Sequence, residues 1–157
     1  MNSSVVTNIA VYKAIADEAY EEMVRSIATM RRPKPDGSPG WIITYDPKQT
    51  SFKQSMISIV FAGMWLEAFT HLLIVKNFGK EKFKEYDRKS YEEKIRLLGC
   101  TEMKLLDRVA QFRTTRKSVV HEKAHLDDGE IKKAQNEAEN AHEMLVAIYE
   151  HFKNQLG

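Results

Sequence analysis

Residues 49–77, QTSFKQSMISIVFAGMWLEAFTHLLIVKN, decide how this chain folds. From Ser55 to Val75 the stretch is apolar on nearly every side, and no proline interrupts it. Its length would cross a bilayer, but it carries Glu67 and His71 and no second segment like it exists. It therefore predicts the buried central helix of a water-soluble protein rather than a membrane span. Phe78-Gly79 supplies the stop.

Outward from this helix, apolar spacing predicts further helices. Val5, Ile9, Tyr12, Ala16, Ala19, Met23, Ile27 and Met30 recur three or four residues apart over 4–32. Ile131, Ala134, Ala138, Ala141, Leu145, Ile148, Phe152 and Leu156 do the same at the other end. Asp127-Asp128-Gly129 before them offers a capping carboxylate. Ser90-Tyr91-Glu92-Glu93 is a capping box opening a short helix that ends at Leu98-Gly99. Thr101-Glu102-Met103 begins another helix, which runs to about His121–His125. The predicted fold is all-α: one domain over 1–157, an antiparallel bundle of four long helices plus one short helix. The four prolines all fall between 33 and 47. Pro35-Asp36-Gly37 and Pro39-Gly40 are turn dipeptides, and Trp41 to Tyr45 is β-prone. A loop or small hairpin is expected at about 33–48, as a cap on one end of the bundle or as a flap over a site.

At 43% apolar and 29% charged residues, the chain has the composition of an ordinary globular domain. A single cysteine, Cys100, leaves no disulfide framework or multi-cysteine zinc site and suits the cytoplasm. Met1-Asn2-Ser3-Ser4 shows no basic start to a signal peptide, so neither export nor a membrane partner is expected. The net charge of +2 hides an asymmetry: residues 1–126 carry +6 and residues 127–157 carry −4. This predicts a modest basic face beside an acidic last helix.

Two motifs overlap near the end of the helix that begins at Thr101. His121-Glu122-Lys123-Ala124-His125 matches the zincin pattern, with two histidines on one helical face and a glutamate to activate water. It lacks a third histidine, leaving Glu137 or Glu143 as the third ligand, and the predicted helices offer no edge strand to build a protease cleft. The second motif is Arg116-Lys117-Ser118-Val119-Val120-His121. Leu105, Val109, Phe112 and Val119 form an apolar stripe, and Arg116 falls on it, with Arg113 at its flank. An arginine facing a core costs stability unless it is paired, and Glu67 of the central helix is the candidate partner. Glu67 and His71, four residues apart, can also bond each other.

With Arg116, His121 and the apolar Val120 before the histidine, the chain resembles the HEPN domains, helical bundles marked by R-x(4–6)-H near the end of a long helix. The apolar central helix with Trp65-Leu66-Glu67-Ala68-Phe69, the short helix and the final amphipathic helix extend the resemblance over most of the chain. Lys117 departs from it, standing where active members usually carry Asn, Asp or His, and the insertion at 33–48 lies outside the common core.

The resemblance implies a metal-independent endoribonuclease without cofactor, a toxin or antiviral defence effector. It implies RNA cleavage through the 2′-hydroxyl to a 2′,3′-cyclic phosphate. Arg116 and His121 are then the catalytic pair: His121 moves protons and Arg116 stabilises charge on the phosphorane. Arg113 and Lys117 would add positive potential for phosphate, while Glu67 and Glu122 support the site. Five residues along a continuous helix place Arg116 and His121 about 140° apart. HEPN domains commonly solve this by dimerising, so a homodimer through the 105–125 helix is expected, with an antitoxin protein as a further partner. The alternatives are a non-catalytic HEPN-like module that binds a protein or nucleotide, and a zinc protease using His121, Glu122 and His125.

Overall fold

The computed structural model describes residues 8–44, 46–119 and 129–156. The chain is mostly helical, with six α-helices and one two-stranded sheet among the described residues. Helix α1 covers Asn8–Thr29, and a hairpin of β1 (Arg31–Pro33) and β2 (Trp41–Ile43) follows. Helix α2 is Thr50–Phe78, α3 is Lys80–Tyr86, α4 is Tyr91–Leu97, α5 is Met103–Val119 and α6 is Gly129–Phe152. A short 3₁₀ turn, Lys153–Gln155, closes the described chain.

Helix α2 is the axis of the molecule, touching α1, α3, α4, α5 and α6. Its Ile59, Ala62, Trp65, Leu66, Phe69, Leu73 and Ile74 are buried. It is the one described helix long and apolar enough to cross a membrane, and 56% of its most apolar window is buried inside the fold. Small side chains set its close partners. Ala16 and Ala19 of α1, and Ala134, Ala138 and Ala141 of α6, are all buried. Small residues let helix backbones approach, and the serine hydroxyls enclosed on α2 are bonded. Ser58 Oγ donates to the Ala16 carbonyl across the α1–α2 contact at 3.0 Å. Helix α2 ends at Gly79, whose φ of 86° is left-handed and whose N–H bonds the Val75 carbonyl.

Two features differ from expectation. The segment after Gly79 forms a second short helix, α3, so two short helices precede α5 rather than one. Only Phe83 and Tyr86 give α3 an apolar side, too few to show a period. Local pairs support it instead: Lys82 with Glu85 and Lys84 with Glu81, each at 2.7 Å. The insertion is a small hairpin, with Arg31 opposite Ile43 and Pro33 opposite Trp41. One face of it, with Trp41 and Ile43 58% and 71% exposed, covers no core, while Ile42 on the other face is half-buried.

The capping box at Ser90 is formed. Ser90 Oγ accepts from the Glu93 N–H, and Glu93 Oε2 accepts from the Ser90 N–H at 2.9 Å. The bonds from Ser90 hold the Glu93 carboxyl below the usual glutamate range. Replacing Ser90 with Ala removes this cap from a seven-residue helix, and is expected to cost about 1 kcal/mol in urea unfolding. An unchanged midpoint would show that tertiary packing alone sets the start of α4.

Candidate functional site

A cleft of about 560 Å³ opens between α2, the α3–α4 turn, α4 and α5. Its lining is cationic: Arg88, Lys89, Lys94, Arg113, Arg116 and Lys117 against the carboxylates of Glu67 and Asp87. Among the described residues, those lining it lie between 67 and 117. A second hollow of about 720 Å³ shares Glu67, Asp87, Tyr91 and Arg116 with the first and extends towards Tyr12, His71 and Phe83. Arg116 stands where the two meet.

Arg116 is half-buried on α5, among the buried Leu105, Leu106, Val109, Phe112 and Val119 of that helix. Its guanidinium is laid across Gly63 of α2. A Cβ at position 63 would stand 2.7 Å from Arg116 Nε and 2.8 Å from Cζ. Gly63 therefore provides the slot in which this side chain lies. Arg116 Nη1 donates to the Tyr91 hydroxyl at 3.3 Å, while Nε is enclosed without a partner among the described residues. Burial pushes the Tyr91 phenol above its ordinary value, with Glu67 adding to the rise and Arg116 opposing it. The phenol thus stays neutral, able to accept from Arg116.

Glu67 does not pair with Arg116 or with His71. Its Oε1 accepts from Lys94 Nζ at 2.5 Å. Lys94 is only 1% exposed, and its ammonium lies 5.8 Å from the centre of the Phe83 ring and 5.9 Å from that of Tyr91. Removing a lysine from water to this extent requires such partners. His71 instead packs edge-on against Phe83, ring centres 4.2 Å apart. A lysine took the carboxylate because α4 delivers it directly onto α2, whereas Arg116 crosses at the glycine one turn earlier.

Arg113 is held as well. Its Nε and Nη2 both donate to Glu92, at 3.2 and 3.1 Å from Oε1. Lys89 lies 3.6 Å from Glu93. Arg88, Arg116 and Lys117 pair with no carboxylate among the described residues. Their charge is left to fill the cleft with positive potential, as an anionic ligand requires.

The structure thus brings Arg116, Lys117, Arg113 and Glu67 to one cleft. His121, Glu122 and His125 lie outside the described residues, so the other half of both motifs does too. The third-ligand candidates of the zincin pattern, Glu137 and Glu143, lie on α6; Glu143 is 3.4 Å from Arg108. Among the described residues no three metal-ligating side chains cluster.

Gly63, Tyr91 and Lys94 are the participants that periodicity did not single out. Lys94 had a legible signal: Tyr91, Lys94, Ile95 and Leu98 fall on one face, with the lysine in a core position, the same anomaly that exposes Arg116. A lone glycine inside an apolar helix likewise marks a close approach. No family model, curated protein or solved structure matches the chain.

Proposed function

We propose that the chain is a metal-independent endoribonuclease of HEPN type, a toxin or antiviral effector, that cleaves RNA through its 2′-hydroxyl. The observation that carries the reading is the placement of Arg116: half-buried over Gly63, without a carboxylate partner among the described residues, on the wall of a cationic cleft. A stability arginine is matched by a carboxylate; one that keeps donors free suits a phosphate.

In this reading the 2′-oxygen attacks phosphorus and the 5′-oxygen leaves. His121 takes the proton of the 2′-hydroxyl or protonates the leaving oxygen. Arg116 donates to the phosphorane oxygens as charge builds on them, and Lys117 and Arg88 attract the backbone. Lys94 neutralises Glu67, so that its carboxylate does not repel the phosphate. The four long helices form an antiparallel bundle, and two copies meet through the 105–125 helix to bring His121 of one chain towards Arg116 of the other. An antitoxin protein would cover this face.

The test uses RNA with EDTA present throughout. Cleavage to a 2′,3′-cyclic phosphate, abolished by a single 2′-deoxy substitution at the cut site, is expected. Cleavage that tolerates the 2′-deoxy residue, or that EDTA stops, overturns the mechanism.

A second reading is a module that binds a phosphate-bearing ligand without cutting it. It is favoured by the engagement of Arg113 with Glu92, which removes one cation from those free to hold an RNA backbone. Binding of ligand with no product from any RNA would select it.

A further inference from the structure

The hairpin β1–β2 carries side chains that the fold does not use. Arg31 faces Ile43 and Pro33 faces Trp41 across the ribbon. Residues two apart along a strand share a face. Arg31, Pro33, Trp41 and Ile43 therefore form one face of the ribbon, and all four are exposed. Arg32 is exposed on the other face, opposite the half-buried Ile42. Lys34 follows, its stem alongside Gly40.

The projection is nonetheless built. The Thr44 N–H and hydroxyl both donate to the Met30 carbonyl at its base, at 2.9 and 3.0 Å. At the tip Gly37 N–H bonds the Lys34 carbonyl at 3.2 Å, and the Asp36 carboxylate accepts from Ser38 N–H and Oγ. The bonds from Ser38 hold the Asp36 carboxyl below its usual range. Asp36 is the only acidic residue between 31 and 43, against Arg31, Arg32 and Lys34. None of these three cations pairs with a carboxylate among the described residues.

We infer that this ribbon is a second binding surface, for single-stranded RNA, with Trp41 as the stacking platform for a base, and Arg31 on the same face and Lys34 at the turn as its phosphate contacts. An exposed indole beside cations, on an anchored two-stranded ribbon, meets both needs of single-strand binding: a flat π-face and positive charge along a backbone. A protein partner would call for a broader apolar patch, whereas the apolar exposure here is one indole and one isoleucine interleaved with cations. The choice of RNA rests on the ribonuclease reading, and the surface would hold a strand whose scissile phosphate enters the cleft.

The two tryptophans make the test direct, because Trp65 is 1% exposed and Trp41 is 58% exposed. Oligouridylate is titrated into the Arg116→Ala protein, which is expected to cut it at least about 100-fold more slowly, and tryptophan emission is followed. Quenching is expected, with affinity falling about sevenfold between 50 and 200 mM salt for two phosphate contacts. Trp41→Ala should weaken binding by tenfold or more, measured by anisotropy of labelled RNA, and Arg31→Ala/Lys34→Ala should flatten the salt dependence. Absence of quenching with wild-type affinity in Trp41→Ala overturns the inference. So does a blue shift with phosphatidylserine vesicles and no response to RNA, which assigns the face to a membrane. Cleavage of a dinucleotide is scored separately: turnover without quenching refutes the ribbon alone, and quenching without turnover refutes the ribonuclease alone.

Discussion

Gly63→Ala is expected to leave the protein folded, at least as stable as the wild type, and nearly inactive on RNA. The methyl group would stand 2.7 Å from Arg116 Nε and 2.8 Å from Cζ, well inside van der Waals contact. What yields is the end of a long side chain rather than backbone, so the cost of moving it is small. Alanine is the better residue inside a helix, by about 0.5–1 kcal/mol. The two effects offset or favour the variant, and thermal unfolding should move by a few degrees at most. The guanidinium, however, must leave its slot by on the order of 1 Å, and misplacement on that scale costs about 100-fold in rate. A substitution that removes no functional side chain would thus separate activity from stability. Wild-type turnover in a folded Gly63→Ala protein would show that the position of Arg116 over α2 is irrelevant to chemistry.

Arg116→Ala should lower cleavage by about 10²–10³-fold, the effect of removing one preorganised donor to a developing oxyanion. Stability should change little. Among the described residues Arg116 has one long bond, to Tyr91, and an enclosed Nε with no partner, so its removal relieves an unpaired donor as well as breaking a contact. A structural arginine behaves in the opposite way: losing one partner of a buried ion pair costs about 3–5 kcal/mol. Arg116→Lys keeps the charge but loses the planar fork, and should recover only part of the rate. Denaturation midpoints and single-turnover rates on the three proteins distinguish the cases. Equal activity in Arg116→Ala, or unfolding of that variant with the rate per folded molecule unchanged, would assign the residue to the core.

The parts of this molecule that could be read from the sequence are those governed by local period and local bonding. Helix α2 was legible because it is apolar on nearly every side, and α4 because Ser90 and Glu93 satisfy each other within one turn. Arg116 was legible because a charge interrupts a stripe of Leu105, Val109, Phe112 and Val119. Its surroundings were not. The partner of Glu67 comes from α4, 27 residues away, and that of Arg113 from Glu92, 21 residues away. Helical spacing says which face a side chain occupies, but not which other helix lies opposite. The swap of Lys94 for Arg116 as the partner of Glu67 followed from that gap. Helix α3 was missed for a different reason, since short-range ion pairs and two aromatics leave no period to detect. The hairpin was anticipated as one of two outcomes, yet the exposure of Trp41 depends on what the rest of the fold leaves uncovered.

The most direct test of the central claim, that Arg116 and His121 together cleave RNA without metal, is a cleavage assay in EDTA on wild type, Arg116→Ala and His121→Ala. Folding of each protein is verified by circular dichroism. The account predicts a 2′,3′-cyclic phosphate product from the wild type, with both folded variants at least 100-fold slower. Wild-type protein that leaves RNA intact, or variants that cut as fast as wild type, would contradict it.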